Sequence, residues 1–185
     1  MTCIVGYIDK DKKLWMGADS LGSTDSIHTT RKDTKLFRNK EFLIGYTSSF
    51  RMGQLLRFKW VPPYQNNKSD YQYMCTDVID SIRKCLKDNG YTTIDCNKEK
   101  IGTFLIGYKN NLYQIESDLQ VGEQIDNFDA CGSGVYFAIG ALEILNNLDL
   151  SGKTICERAL GVAEKFNPFV GKPFVVIKYD EEKNL

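Results

Sequence analysis

The chain has 185 residues, and its 24 lysines and arginines balance 24 aspartates and glutamates, so the formal net charge is zero. Hydrophobic residues make up 42% of the chain and charged residues 26%, which is typical of a globular domain with a sizeable core. The sequence shows no signal peptide and no apolar run of the roughly 18–20 residues that a membrane span needs. Balanced charge argues against nucleic acid or anionic lipid as a partner. We expect one cytoplasmic domain over residues 1–185.

The first half of the chain is predicted to be strands followed by two helices. Short segments rich in β-branched and aromatic residues predict strands at residues 2–8, 14–18, 36–37 and 41–46. Residues 20–30 are polar and are interpreted as a loop. Ser48 or Ser49 is placed to cap a helix that carries Trp60 and is closed by Pro62. Apolar residues at helical spacing predict a second helix over residues 70–88.

The second half repeats this order. Strands are predicted at residues 101–108, 112–117 and 174–177, with another between residues 124 and 131. A glycine-flanked turn at Ser133 is expected to open one apolar helix. The pair Thr154 and Glu157 has the spacing of a capping box that starts another helix, and residues 180–185 resemble a frayed tail. Strands and helices segregated in this way indicate an α+β layered domain.

Several common kinds of site have little support in the sequence. The six cysteines are scattered, and His28 is the single histidine, so a four-ligand zinc site has few candidates. His28 lies in a polar stretch, and we give it no catalytic role. The segment from Ser151 to Thr154 resembles a phosphate-binding loop, but Asn147 stands where that motif needs glycine.

The N-terminus offers a different chemistry. Thr2 follows a lone initiator Met1 and stands at the head of an apolar strand. Methionine before a small residue is usually removed, which would leave Thr2 with a free α-amine. Such an amine has a pKa near 7.7–8.0 and can act as a base close to neutral pH. A threonine hydroxyl paired with its own amine is a recognised activated nucleophile, and it needs no histidine.

Five segments of the chain are informative through their order and spacing: Thr2-x-Ile4-Val5-Gly6, Gly17-Ala18-Asp19-Ser20, Lys32 before Leu36-Phe37, Ile44-Gly45-Tyr46-Thr47-Ser48 and Cys131-Gly132-Ser133-Gly134. Taken together, they resemble the proteasome β-subunits and the bacterial HslV-type peptidases. The resemblance implies an N-terminal nucleophile (Ntn) hydrolase with a four-layer α-β-β-α sandwich. It implies a threonine peptidase that acts on peptides or unfolded proteins without a metal or organic cofactor. It also implies a homo-oligomeric ring, in some relatives served by an ATP-driven unfoldase.

The same resemblance assigns roles to individual residues. Thr2 would be the nucleophile, and its amine the general base. Lys32 would lie beside the Thr2 hydroxyl and lower the pKa values there, with Asp19 orienting Lys32. Ser133 would form a hydrogen bond with the amine. The backbone N–H of Ser48 would stabilise the oxyanion.

Further residues are assigned to the substrate, and others depart from the family pattern. Gly45, Thr47 and Ser20 are expected to border the substrate. Asn167 replaces a supporting aspartate and Val170 replaces a serine. In addition, Ser48 and Ser49 stand where the family has a glycine pair at the oxyanion turn.

Other interpretations of the same residues remain open. Asp19 and Lys32 could form a purely structural ion pair, and Ser133 could be a helix N-cap. The whole chain could be a catalytically silent subunit, which Asn167, Val170 or a retained Met1 would favour. It could also be an Ntn amidohydrolase that acts on a small amide.

Overall fold

The computed structural model describes residues 1–23 and 27–180. Its strands are β1 (Cys3–Ile8), β2 (Leu14–Ala18), β3 (Leu21–Ser23), β4 (His28–Thr30), β5 (Leu36–Asn39), β6 (Phe42–Tyr46), β7 (Thr93–Asp95), β8 (Lys98–Lys100), β9 (Phe104–Tyr108), β10 (Asn111–Ile115), β11 (Val121–Glu123), β12 (Phe128–Gly132) and β13 (Val175–Lys178). Its helices are α1 (Phe50–Phe58), α2 (Asp70–Tyr73), α3 (Ile79–Asp88), α4 (Val135–Leu145) and α5 (Gly152–Phe166). A π-helical turn over Met74–Val78 joins α2 to α3.

Two antiparallel sheets form the centre of the domain. One has the strand order β12-β1-β2-β13, and the other has the order β11-β10-β9-β6-β5. The N-terminal strand β1 is therefore an inner strand, in which Ile4 pairs with Cys131 on β12 and with Ala18 on β2. This register brings the start of the chain beside the end of β2 and the end of β12.

Alternating side chains explain why β1 is apolar throughout. Cys3, Val5 and Tyr7 pack on the side of α4 and α5, while Ile4 points between the two sheets. Successive side chains of a strand point to opposite faces, so a strand covered on both faces has a continuous apolar sequence. The chain enters the interior along this strand, with Thr2 directly before it.

Three buried clusters separate four layers. One lies between α4, α5 and the first sheet; a second joins α1, α2 and α3 to the other sheet; and a third fills the space between the sheets. The residues between the sheets include Ile4, Met16, Leu36, Leu43 and Leu105. The expected α+β class and the α-β-β-α order of layers are confirmed.

Some local predictions were wrong. Helix α5 begins at Gly152, and its N-cap is Ser151, whose hydroxyl accepts the N–H of Thr154. The hydroxyl group that caps the helix thus comes from the residue before the helix, and not from Thr154. The polar segments β3–β4 and β7–β8 form short hairpins, which their composition did not predict. The exposed His28 lies on β4 with its ring 5.9 Å from that of Phe169.

Two expectations fall partly outside the described residues. The polar loop predicted over residues 20–30 includes residues 24–26, and the predicted tail includes residues 181–185. Within the part of the chain that the structure covers, no helix is both long and apolar enough to cross a membrane.

Candidate active site

Thr2 lies just before β1 and is almost completely buried, with 5% of its surface exposed. Its peptide N–H donates to Ser133 Oγ at 3.3 Å. Its hydroxyl donates to the carbonyl oxygen of Met1 at 2.6 Å. Met1 itself is half exposed. The predicted nucleophile is therefore held between Met1 and the turn that follows β12.

Asp19 connects the segments around Thr2. It directly follows β2 and is fully buried. One carboxylate oxygen accepts the N–H of Cys3 at 3.0 Å, and the other accepts those of Leu21 at 3.1 Å and Gly171 at 3.3 Å. Three peptide donors from separate parts of the chain thus fix the carboxylate next to the start of β1.

The lysine that meets Asp19 is Lys35 and not the predicted Lys32. Lys35 Nζ lies 2.9 Å from Asp19 Oδ1 and 3.2 Å from the carbonyl oxygen of Met1, and its side chain is 1% exposed. Lys32 is exposed. Lys35 stands at the entry to β5, where its carbonyl accepts the N–H of Tyr46, whereas Lys32 lies in the turn before. The sequence alone does not tell these two lysines apart, because the pairing of the strands decides which of them meets Asp19.

The environment of this ammonium changes its acidity. Burial lowers the pKa of Lys35, and the neighbouring Asp19 opposes that change. Burial also lowers the pKa of the Met1 amine, with a further lowering by the positive charge of Lys35. A positive charge beside an amine favours its neutral form, which is the form that can accept a proton.

The turn after β12 encloses the backbone of Thr2. Gly132 has φ +99°, and a Cβ at that position would lie 2.3 Å from the carbonyl oxygen of Thr2. Glycine is needed here both for the backbone conformation and for the close approach. The carbonyl of Thr2 accepts the N–H of Gly134 at 3.3 Å and the hydroxyl of Ser133 at 3.3 Å. Gly134, and not Ser133, is the N-cap of α4.

Asn167 and Val170, the two departures from the family pattern, have different environments. The amide nitrogen of Asn167 donates to the carbonyl of Ser133 at 2.6 Å, so this residue belongs to the site. Val170 is 3% exposed and packs in the cluster between the first sheet and its helices. The contribution of Asn167 was not anticipated, because the sequence shows only that an aspartate is missing.

The turn between β6 and α1 approaches the same region. Ser48 is exposed and has φ +66°, a conformation that costs a serine more than it costs a glycine. Ser49 caps α1 by accepting the N–H of Arg51 at 3.1 Å. Thr47 is buried, and its hydroxyl donates to the carbonyl of Thr103 at 2.6 Å. The Thr47 methyl carbon lies 3.1 Å from the position of a Cβ on Gly132, which contacts Thr2.

The other two predicted substrate residues, Gly45 and Ser20, are buried. A Cβ on Gly45 would lie 2.5 Å from the Cγ2 atom of Ile4, so this glycine faces the packed space between the sheets. The face that a strand residue occupies depends on the pairing register, which the sequence does not show, and the role of Gly45 at the substrate stays a prediction. Ser20 is buried, and its backbone bonds Gly171 and Arg31.

An aromatic and a basic side chain near Lys35 were not predicted. The guanidinium of Arg31 lies 4.0 Å from the ring centre of Phe50, and Lys35 Nζ lies 5.9 Å from it. Arg31 also forms a two-point ion pair with Asp33. Among the described residues, no group of three or more His, Cys, Asp or Glu side chains is arranged to hold a metal ion.

The similarity of this chain to known proteins is found by comparing structures and not by comparing sequences. No protein-family model and no curated protein sequence matches the chain. BPH from Thiobacillus denitrificans, in a complex with epoxomicin, is 19% identical with a TM-score of 0.81, covering 95% of this chain and 97% of that chain.

More distant structures show the same arrangement. HslV from Trypanosoma brucei is 16% identical with a TM-score of 0.67, covering 95% of this chain and 98% of that chain. Anbu from Hyphomicrobium sp. strain MC1 is 16% identical with a TM-score of 0.69, covering 97% of this chain and 82% of that chain. At these identities the likeness concerns the fold. The chain therefore has the proteasome-like fold of the Ntn hydrolases, as its resemblance to that family predicted.

Proposed function

We propose that this protein is a threonine peptidase whose nucleophile is the hydroxyl of Thr2 after removal of Met1. One observation carries the proposal: the Thr2 hydroxyl and the Lys35 ammonium both contact the carbonyl oxygen of Met1, at 2.6 and 3.2 Å. A buried cation beside a threonine at the chain start is the arrangement that this chemistry needs, and Asp19 holds that cation in place. The BPH structure in a complex with epoxomicin supports the proposal by analogy.

Removal of Met1 is the first requirement. While Met1 is attached, the Thr2 nitrogen belongs to a peptide bond and is not basic. General-base catalysis contributes about 10²–10⁴ to such reactions, so the uncleaved chain would be largely inactive. Met1 is half exposed, which leaves it accessible to an aminopeptidase.

The free amine and hydroxyl of Thr2 then act together. Lys35 favours the neutral amine, which takes the hydroxyl proton as the oxygen attacks the substrate carbonyl. The negative oxygen that forms is stabilised by the N–H of Ser48. The amine returns its proton to the leaving nitrogen, the peptide C–N bond breaks and an ester remains on Thr2. Water attacks this ester, with the same amine as base, and releases the acid product.

The wider setting is proposed on the same basis. The substrate is a peptide or unfolded protein, and copies of the chain form a homo-oligomer that encloses their sites in the cytoplasm. An ATP-driven unfoldase is a further expected partner. None of these proposals requires a nucleic-acid or membrane partner.

Mass spectrometry of the intact protein tests the central claim. We expect the mass to lack one methionine, and an epoxyketone inhibitor to add one equivalent to Thr2. Thr2→Ala should lose both the adduct and peptide hydrolysis while keeping its fold, whereas Thr2→Ser, which retains a hydroxyl and an amine, should keep measurable activity. Hydrolysis unchanged in Thr2→Ala would exclude the mechanism.

The same experiment separates the other two functions. A retained Met1 with no adduct would favour a catalytically silent subunit. An adduct without peptide turnover, together with hydrolysis of a metabolite amide, would favour an Ntn amidohydrolase.

A further inference from the structure

Asn167 is the C-cap residue of α5 and is 8% exposed. Its amide nitrogen donates to the carbonyl of Ser133 at 2.6 Å. Its amide oxygen accepts the N–H of Phe169 at 2.9 Å. With one half of the amide bound to a carbonyl and the other to an N–H, the side chain has a single orientation that satisfies both partners.

Ser133 links this amide to Thr2. Its hydroxyl lies 3.3 Å from both the nitrogen and the carbonyl oxygen of Thr2. Ser133 is flanked by Gly132 and Gly134, and glycine restricts the backbone less than any other residue. The bond from Asn167 is therefore the side-chain contact that fixes the peptide group of Ser133, and through it the hydroxyl beside Thr2.

The charge of residue 167 matters as much as its position. Three ionisable groups lie in the segments around Thr2: Asp19 from the end of β2, which accepts the N–H of Cys3, Lys35 from the entry to β5, which contacts the carbonyl of Met1, and the thiol of Cys3 on β1. Burial raises the pKa of Cys3 to about 12, so this thiol is neutral at physiological pH. An ionised carboxylate at position 167 would add a negative charge, and a carboxylate cannot donate to the Ser133 carbonyl. Asparagine gives the donor without the charge.

We propose that Asn167 is a positioning residue that holds Ser133 against the nitrogen of Thr2 and, being uncharged, leaves Asp19 and Lys35 to set the protonation of the freed amine. Its effect on turnover rests on the proposed peptidase function. Its effect on the amine does not, because the amine can be titrated in a protein that hydrolyses nothing.

The test compares Asn167→Ala and Asn167→Asp with the unsubstituted chain. Each protein is expressed as a fusion that is cleaved directly before Thr2, so the amine is free whatever the cell does with Met1. Asn147 supplies the matched control, because its amide also donates to a backbone carbonyl, that of Glu143 at 3.1 Å, at the exposed end of α4. Asn147→Ala and Asn147→Asp are measured in parallel.

Two measurements are made on every variant. The pKa of the Thr2 amine is determined by NMR titration, and kcat/KM is measured on fluorogenic peptides from pH 5 to 9. Asn167→Asp should raise the amine pKa by about one unit, because an added negative charge nearby stabilises the protonated amine. The acidic limb of its kcat/KM profile should move upward by the same amount.

Asn167→Ala should behave differently. Loss of one hydrogen bond is expected to lower kcat/KM about tenfold across the profile without moving its acidic limb. The Asn147 variants should leave the amine pKa and kcat/KM unchanged. Melting temperatures show whether either Asn167 variant is unfolded.

The outcomes separate the two proposals. An unchanged amine pKa in Asn167→Asp, or full kcat/KM in Asn167→Ala, would overturn the role of Asn167. If the unsubstituted protein with a free Thr2 neither reacts with an epoxyketone nor cleaves peptides, the peptidase proposal fails. The amine titration then still decides whether Asn167 controls that nitrogen.

Discussion

The ion pair of Lys35 and Asp19 is buried, yet its carboxylate has every partner it needs. Besides Lys35 it accepts three peptide N–H groups. A buried ion pair is stable only when such additional hydrogen bonds offset its loss of hydration. The pair can therefore place a positive charge beside Thr2 without unfolding the start of β1.

Lys35 and Lys32 make a matched pair of substitutions. Lys35→Met should lower kcat/KM at least 100-fold, because the amine of Thr2 loses the neighbouring charge that favours its neutral form. It should also reduce the free energy of unfolding by about 3 kcal/mol, since Asp19 is left buried without a cation. Lys32→Met should change neither quantity, because that side chain is exposed. Steady-state kinetics and denaturant unfolding measure both, and the reverse pattern would contradict our assignment.

The packing of the two sheets determines how much space a strand residue has for a side chain. Gly45 lies on β6 with its hypothetical Cβ 2.5 Å from Ile4, two residues after Thr2. Gly122 on β11 has only an ordinary contact, 3.8 Å from the carbonyl oxygen of Gln114. These glycines occur in strands of the same sheet but differ in how much space surrounds them.

Alanine at each glycine tests this packing. Gly45→Ala should destabilise the protein by about 1–3 kcal/mol through overpacking, which corresponds to a fall of roughly 2–12 °C in Tm. Gly122→Ala should change Tm by much less. Differential scanning calorimetry measures both. A Gly45→Ala protein with unchanged Tm and an altered KM would instead support the original prediction that Gly45 borders the substrate.

Helix α4 and the end of α5 carry large apolar side chains that are exposed. Tyr136 and Ile144 are exposed on one side of α4, and Phe137 stacks on Phe166 of α5 with ring centres 5.6 Å apart. Residues spaced by four along a helix share a face, so Tyr136, Gly140 and Ile144 form one strip. Large exposed apolar patches of this kind commonly mark protein interfaces.

This strip is the surface that we expect copies of the chain to cover. The double substitution Tyr136→Lys and Ile144→Lys should shift the protein to smaller species in analytical ultracentrifugation, because charges would then be buried without partners. Ile125→Lys is the control, since Ile125 is fully exposed and lies outside α4 and α5. An unchanged assembly in the double variant would place the interface elsewhere.

Short-range patterns were sufficient for much of this architecture. The apolar run at residues 2–8 predicted β1, and the hydroxyl of Ser133, which the resemblance assigns to the Thr2 amine, lies 3.3 Å from the Thr2 nitrogen. The β3–β4 pair gave no such pattern, because all residues of β4 are exposed and that strand has no buried apolar face. Lys32 and Lys35 differ only in which one precedes the strand directly, and the face of Gly45 depends on a register that the sequence does not display.

Asp19 holds Lys35 in place and also joins separate parts of the backbone, and selection can act on these two roles independently. Its carboxylate accepts backbone N–H groups from Cys3, Leu21 and Gly171, and so connects three separate parts of the chain. This structural role does not depend on whether the protein cleaves a peptide bond. A descendant that abandoned chemistry would remain under selection to keep Asp19, whereas Thr2 would be free to vary. Among homologues, conservation of Asp19 alone would thus indicate a shared fold, whereas conservation of both Thr2 and Lys35 would distinguish active enzymes from catalytically inactive relatives.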